Sequence, residues 1–139
     1  AATYIGIGLA AGATIEAGFA GALTLVALSV VITLAFGSIG LFAGMRARSA
    51  EAVQGLFPLI FVFLFLSSMS LPRNLIETDW FQTVATYNPV SYMIEGIRSL
   101  LITGWDAEAL ALGFGSAIVI LIAGITATSY SLKERMGRT

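Results

Sequence analysis

Between Glu16 and Arg46 the chain runs for 29 residues without a charged side chain. As an α-helix rising ~1.5 Å per residue, that stretch is ~43 Å long, more than the ~30 Å hydrocarbon layer of a bilayer. A helix of this kind needs an apolar solvent on its outer sides as well as a partner on its inner side. The stretch is not alone. Val53 to Leu71 gives 19 uncharged residues and Ala109 to Tyr130 gives 22, each long enough to cross or nearly cross the same layer. The whole-chain composition agrees: 58% of the 139 residues are hydrophobic and 11% are charged, against about 25% charged in ordinary soluble domains.

The expected fold class is therefore all-α, a polytopic integral membrane bundle. Residues 1–15 read as the end of a span whose beginning is missing, 17–45 as a span, 53–71 as a span, 109–130 as a span and 131–139 as a tail. Arg46 and Arg48 close the first full span. Ser49 followed by Glu51 has the form of an N-cap with an acid in a new first turn. Pro58 lies about one turn inside the next span, where a kink is expected.

Charge distribution gives the orientation. The loop 46–52 and the tail 131–139 are an even number of crossings apart and must share a side. Together they carry Arg46, Arg48, Lys133, Arg135 and Arg138, five of the seven basic residues. The positive-inside rule assigns that side to the cytoplasm of a cell membrane. Glu16, Glu77, Asp79, Glu95, Asp106 and Glu108, six of the eight acids, fall on the other side.

Residues 72–108 are neither a polar linker nor a span, and read as a short re-entrant or interfacial helical hairpin on the outer side. Its clearer helix starts at Asn88, a good N-cap, with Pro89 at the first helical position and Gly104 just past the end. Val90, Met93, Ile94, Ile97, Leu100 and Leu101 recur at helical spacing, with Ser91, Glu95, Arg98 and Ser99 largely opposite. Leu75 to Tyr87 forms a weaker helical pattern. Trp80, Tyr87, Tyr92 and Trp105 suit the aromatic belt at a headgroup boundary.

Several features have two readings. The pairs Gly8/Gly12 and Gly40/Gly44 fit close helix approach, or the chance spacing of a Gly-rich chain. Phe57, Phe61 and Phe65 form a stripe at four-residue spacing, which serves lipid contact and packing or, less commonly, a path for aromatic, lipophilic cargo. Phe63 lies on the opposite face. Glu95 and Arg98 either pair as a gate or anchor at the outer mouth, or form a solvated surface pair.

Whole classes of chemistry drop out. With no Cys and no His there is no disulfide, thiolate, imidazole base or ordinary zinc or haem ligand set, and catalytic and metal sites are expected to be absent. A formal charge of −1 with no basic stripe excludes nucleic acid. No glycine-rich loop ending in Lys and Ser or Thr occurs, so the chain cannot hold ATP by that device.

The run from Glu51 to Gly104 resembles the C-terminal half of ABC-2 type permeases. The resemblance rests on RSAEAVQGLFPLIF at 48–61, SLP at 70–72, WFQ at 80–82 and YNPVSYMIEGIRSLL at 87–101. It is nearest the daunorubicin-resistance type of multidrug permease, whose NP-x-x-Y-x-x-E-x-x-R stretch is matched by Asn88, Pro89, Tyr92, Glu95 and Arg98. Thr78 stands where similar permeases often have a second proline before the tryptophan, which implies a differently bent hairpin.

The resemblance implies a six-span subunit that forms homodimers or heterodimers. It also implies pairing with separate ATPase subunits, where ATP and Mg2+ would bind, and export of a drug, polyketide or lipid-like substrate. The other classes weighed are a non-transporting anchoring or assembly subunit and an intramembrane enzyme, the last disfavoured by the missing His and Cys.

Overall fold

The computed structural model describes the chain except residues 1–2, 4–5, 7–14, 48, 56, 70–74, 76 and 137–139, and except the side chains at 50, 52, 57 and 135. The expected remnant span at 1–15, the Gly8/Gly12 pair and the SLP at 70–72 thus lie almost wholly outside the described residues. Among those described, all regular structure is helical: α1 (Gly18–Arg46), α2 (Ala50–Gln54), α3 (Phe57–Phe65), α4 (Asp79–Tyr87), α5 (Pro89–Arg98), a π-helical turn (Ser99–Thr103) and α6 (Ala107–Met136). Two of these helices, α1 and α6, are long and apolar enough to cross a membrane.

α1 and α6 lie side by side and parallel. Their last turns meet where Arg46 Nη2 stands 3.4 Å from Glu134 Oε2 and Arg46 Nε donates to Ser131 Oγ at 3.3 Å. At the opposite end Leu25 and Leu110 share a buried cluster with Ala17 and Leu100. The buried residues of α1 are Gly21, Leu25, Leu28, Ala35 and Ser38, and those of α6 include Leu110, Gly113, Ala117, Gly124 and Ser131. Steps of three, four and seven put each set on one narrow face; α5 and the π-helical turn meet these faces at Gly21, Leu28 and Gly113, and α1 meets α6 directly along the seam at Ser38 and Gly124.

Small residues dominate the seam for a physical reason. Lipid tails are as apolar as leucine, so helices in a bilayer gain by close packing and hydrogen bonds rather than by escaping water. Gly124 is the tightest point, since a Cβ there would collide with the Ser38 side chain. Thr128 Oγ1 donates to the Ser38 carbonyl at 3.2 Å beside it. Gly40 and Gly44 make no such approach, because a Cβ at either meets nothing; the glycines that bring helices together are others.

Parallel spans require the intervening chain to return across the bundle, and the return is broken. A single helix was expected over 53–71. Instead α2 ends at Gln54, Gly55 turns, and α3 is nine residues long, ending in turns at 66–69. At ~1.5 Å per residue α3 covers ~14 Å, about half a hydrocarbon layer. Gly55 weakens a helix interior, and Pro58 has no N–H to give a preceding turn but fits the second position of a new helix. The kink expected at Pro58 is thus a break just before it. Ser49 does directly precede α2, and the Glu51 backbone N–H, helped by the Ser49 hydroxyl, holds the exposed Glu51 carboxyl below its usual pKa.

The segment between α3 and α6 is a helical hairpin that enters the bundle. α5 runs antiparallel to α6: a Cβ on Gly96 would lie 3.2 Å from the Ala109 carbonyl, and one on Gly113 would lie 3.1 Å from the Tyr92 carbonyl. Further along, Pro89 and Val90 reach the level of Phe36 and Ile120, well inside the length of both spans. The tip of the hairpin is therefore deep and its far end shallow. Tyr87 accordingly stands at the deep tip, unlike the headgroup position expected for it from sequence, whereas Tyr92 shares a cleft with Asp106 and Glu108 at the start of α6. Gly104 closes the far end at φ +93°, and its N–H reaches back to the Ser99 carbonyl.

Candidate functional site: an apolar cavity beneath the hairpin tip

A cavity of about 390 Å3 opens between the C-terminal half of α1, α3 and the hairpin tip. Phe36, Ile39, Gly40 and Ala43 of α1 form one wall, and Leu59, Ile60 and Phe63 of α3 form the other. Pro89 and Val90 roof it, with Ile120 of α6 and Val53 of α2 completing the lining. Among the described residues no lining side chain carries a charge or a hydrogen-bonding group, so the space suits hydrocarbon rather than a polar ligand.

The aromatic stripe expected to face a cargo path is placed differently. Phe61 and Phe65 are exposed and do not line the cavity, and the side chain of Phe57 is outside those described. Phe63, on the opposite face, is the phenylalanine of α3 that lines it among the described side chains. On a nine-residue helix with apolar residues all round, periodicity cannot choose a face. What chooses it is the side on which α5 grips the helix end.

That grip accounts for most of the Asn-Pro motif. Asn88 Oδ1 accepts from the Val90 N–H at 3.0 Å and caps α5, while its Nδ2 donates to the Phe63 carbonyl at 2.6 Å. A backbone N–H can only donate and a carbonyl can only accept, so the two bonds fix which way the amide points. Three residues on, Ser91 Oγ accepts from the Ser68 N–H at 3.1 Å, and Ser68 Oγ donates to the Ser91 carbonyl at 3.2 Å. Arg98 Nη2 donates to the carbonyls of Ser68 at 2.7 Å and Met69 at 3.1 Å. Ser67 Oγ caps the Leu64 carbonyl.

A helix that ends inside a membrane leaves its last carbonyls without water, and each must find a donor. Asn88 supplies such a donor to the Phe63 carbonyl of α3, and Arg98 supplies them to the Ser68 and Met69 carbonyls in the turns that follow. Asn88, Ser67, Ser68, Ser91 and Ser99 are all buried, which sequence reasoning missed by assigning Ser91 and Ser99 to a polar outer face. The buried face of α5 is Val90, Ser91, Met93 and Gly96, with Leu101 exposed, so it is rotated toward the small residues. Arg98 Nη1 is buried and has no hydrogen-bond partner among the described residues.

Of the remaining motif residues, Pro89 takes the first position of α5. Tyr92 Oη donates to the Thr86 carbonyl at 2.7 Å and ties α4 to α5. Glu95 lies in a small cleft with Tyr92, Asp106 and Glu108, while Arg98 goes to the end of α3, so the two residues serve different places. Asp106 Oδ1 accepts from the Ala109 N–H at 3.0 Å and caps α6. Among the described residues no group of three or more acids is arranged to hold a metal ion.

Two parallel spans around a deep hairpin and a hydrocarbon-lined space define a helical membrane domain. The sequence match is more particular: the family described as ABC-2 type transporter matches residues 1–102. The chain belongs to that family and is a membrane permease component of an ABC transporter. Neither the curated proteins nor the solved structures contain a match.

Proposed function

We propose that the chain is the permease subunit of an exporter that moves lipophilic molecules, of the daunorubicin-resistance type that its Asn88–Arg98 stretch resembles. The observation that carries this reading is the cavity of about 390 Å3 walled by Phe36, Phe63 and Ile120, with no polar side chain among the described residues of its lining. A space of that size falls in the range of small-molecule sites, ~300–1,000 Å3. Its chemistry selects hydrocarbon and aromatic surface over charge.

In this reading the loop 46–52 and the C-terminal tail face the cytoplasm of the cell membrane. The cavity then sits in the inner half of the bilayer, where cargo enters from the lipid, and the hairpin tip forms its roof. A dimer of permease subunits exposes the space to the outer side while a separate ATPase subunit binds and hydrolyses ATP with Mg2+. The chain itself does no covalent chemistry.

The test is reconstitution of the full-length protein with its ATPase in vesicles. Lipophilic aromatic compounds should stimulate ATP hydrolysis and accumulate in the lumen of inverted vesicles. No stimulation by any lipophilic drug, lipid or glycan contradicts the exporter and favours an anchoring subunit. The orientation is tested by labelling Ala47→Cys with an impermeant thiol reagent, which should react only after the cells are opened.

A further inference from the structure

We infer that Asn88, Ser91 and Arg98 are positioning residues that hold the cavity wall formed by α3, so that this wall is fixed to the hairpin by hydrogen bonds rather than by side-chain packing. Leu59, Ile60, Phe61, Val62, Phe63 and Phe65 are all exposed, so packing within the chain does little to fix α3. Its far end and the turns that follow are engaged from three positions of α5: Asn88 at the Phe63 carbonyl of α3 itself, and, in the turns at 66–69, Ser91 at the Ser68 N–H and Arg98 at the Ser68 and Met69 carbonyls. These positions are three and seven residues apart, which keeps Ser91 and Arg98 two turns apart on one face of α5.

The consequence is a mechanical link. Phe63 lines the cavity and its own carbonyl is the acceptor for Asn88, so any displacement of the hairpin tip is passed directly to the wall. Pro89 and Val90, next to Asn88, form the roof. Roof and wall are therefore joined to each other, and both are tied through α5 to α6, against which Gly96 and Gly113 pack closely. This inference holds whatever the cavity carries, and does not depend on the exporter reading.

Asn88 performs two tasks that can be separated. Its Oδ1 caps α5 and its Nδ2 holds α3. Serine caps a helix about as well as asparagine but is too short to reach a second acceptor across the chain. Asn88→Ser should thus keep α5 and release α3, whereas Asn88→Ala should disturb both.

The experiment is hydrogen–deuterium exchange on the full-length protein in nanodiscs, read peptide by peptide. In Asn88→Ser, exchange across residues 57–69 should rise roughly tenfold, as expected when a buried carbonyl loses its donor, while peptides from α5 and α6 stay as in the parent. Arg98→Met should raise exchange over 66–69, and Arg98→Lys, which keeps a charged donor, should restore much of the protection.

Unchanged exchange over 57–69 in both Asn88→Ser and Arg98→Met would overturn the inference, since packing must then hold α3. Equal loss of protection in α3, α5 and α6 would overturn it as well, because the bonds would then support the whole fold. Loss in α5 alone would reduce Asn88 to an ordinary cap.

Discussion

α1 with α6, and α3 alone, are both apolar helices in one bundle, yet they are fixed by different means. The long pair is held by shape. Ser38 and Gly124 let two backbones approach along the seam, with buried Ala35 and Ser131 beside them, and Thr128 and Arg46 add side-chain bonds between the helices. The short helix has no seam. Large side chains surround it, most of them exposed, and its attachment is polar and confined to one end. Close packing gives a rigid frame that tolerates little change in volume, while a few directional bonds give an element that can pivot without losing an interface. A transporter needs both, a frame and a wall.

The sharpest way to break this contrast is to add volume to the frame. Gly124→Leu should cost roughly 3 kcal/mol, the upper end for overpacking, seen as a lowered thermal unfolding midpoint. Gly40→Ala should not lower that midpoint, because its methyl meets nothing and alanine is favoured over glycine inside a helix by roughly 0.5–1 kcal/mol. On the wall, Phe63→Ala should weaken cargo stimulation of the partner ATPase several-fold, while Phe61→Ala, exposed and off the cavity, leaves it intact; equal effects would return the cargo path to the expected stripe. The smallest effect belongs to Arg46→Gln. Arg46 and Glu134 are exposed by 58% and 45%, and a surface ion pair contributes roughly 0–1 kcal/mol, less at high salt.

What could be read from sequence divides along the same line. The spans at 17–45 and 109–130 were legible because hydropathy over twenty or more residues has one physical cause, solvation in lipid. Asn88, Pro89 and Gly104 were legible because capping is local, and the structure uses all three at the ends predicted for them. The break at Gly55 was hidden by uninterrupted hydropathy through 53–71, in which a helix and a broken path look alike.

The attachment of α3 was hidden more deeply. Asn88 and Phe63 are 25 residues apart and Arg98 and Ser68 are 30 apart, and no periodicity signals a side chain that seeks a distant carbonyl. The serines of α5 misled for a related reason: hydropathy ranks Ser as outward-facing, but in a bilayer a small hydroxyl that bonds a backbone group belongs at a helix contact. The one available clue was Arg98 itself, a cation beside hydrocarbon, which has to find acceptors.

The central claim is that the hairpin enters the bundle, with its tip beside the middle of α6 rather than lying flat across the ends of the spans. Paired spin labels on the full-length protein in lipid test it directly, at Tyr87 with Ile122 and at Tyr87 with Trp105, three exposed positions. The account predicts the shorter distance for Tyr87 with Ile122. The reverse order would place the tip at the surface, remove the roof from the cavity and separate Asn88 from the end of α3.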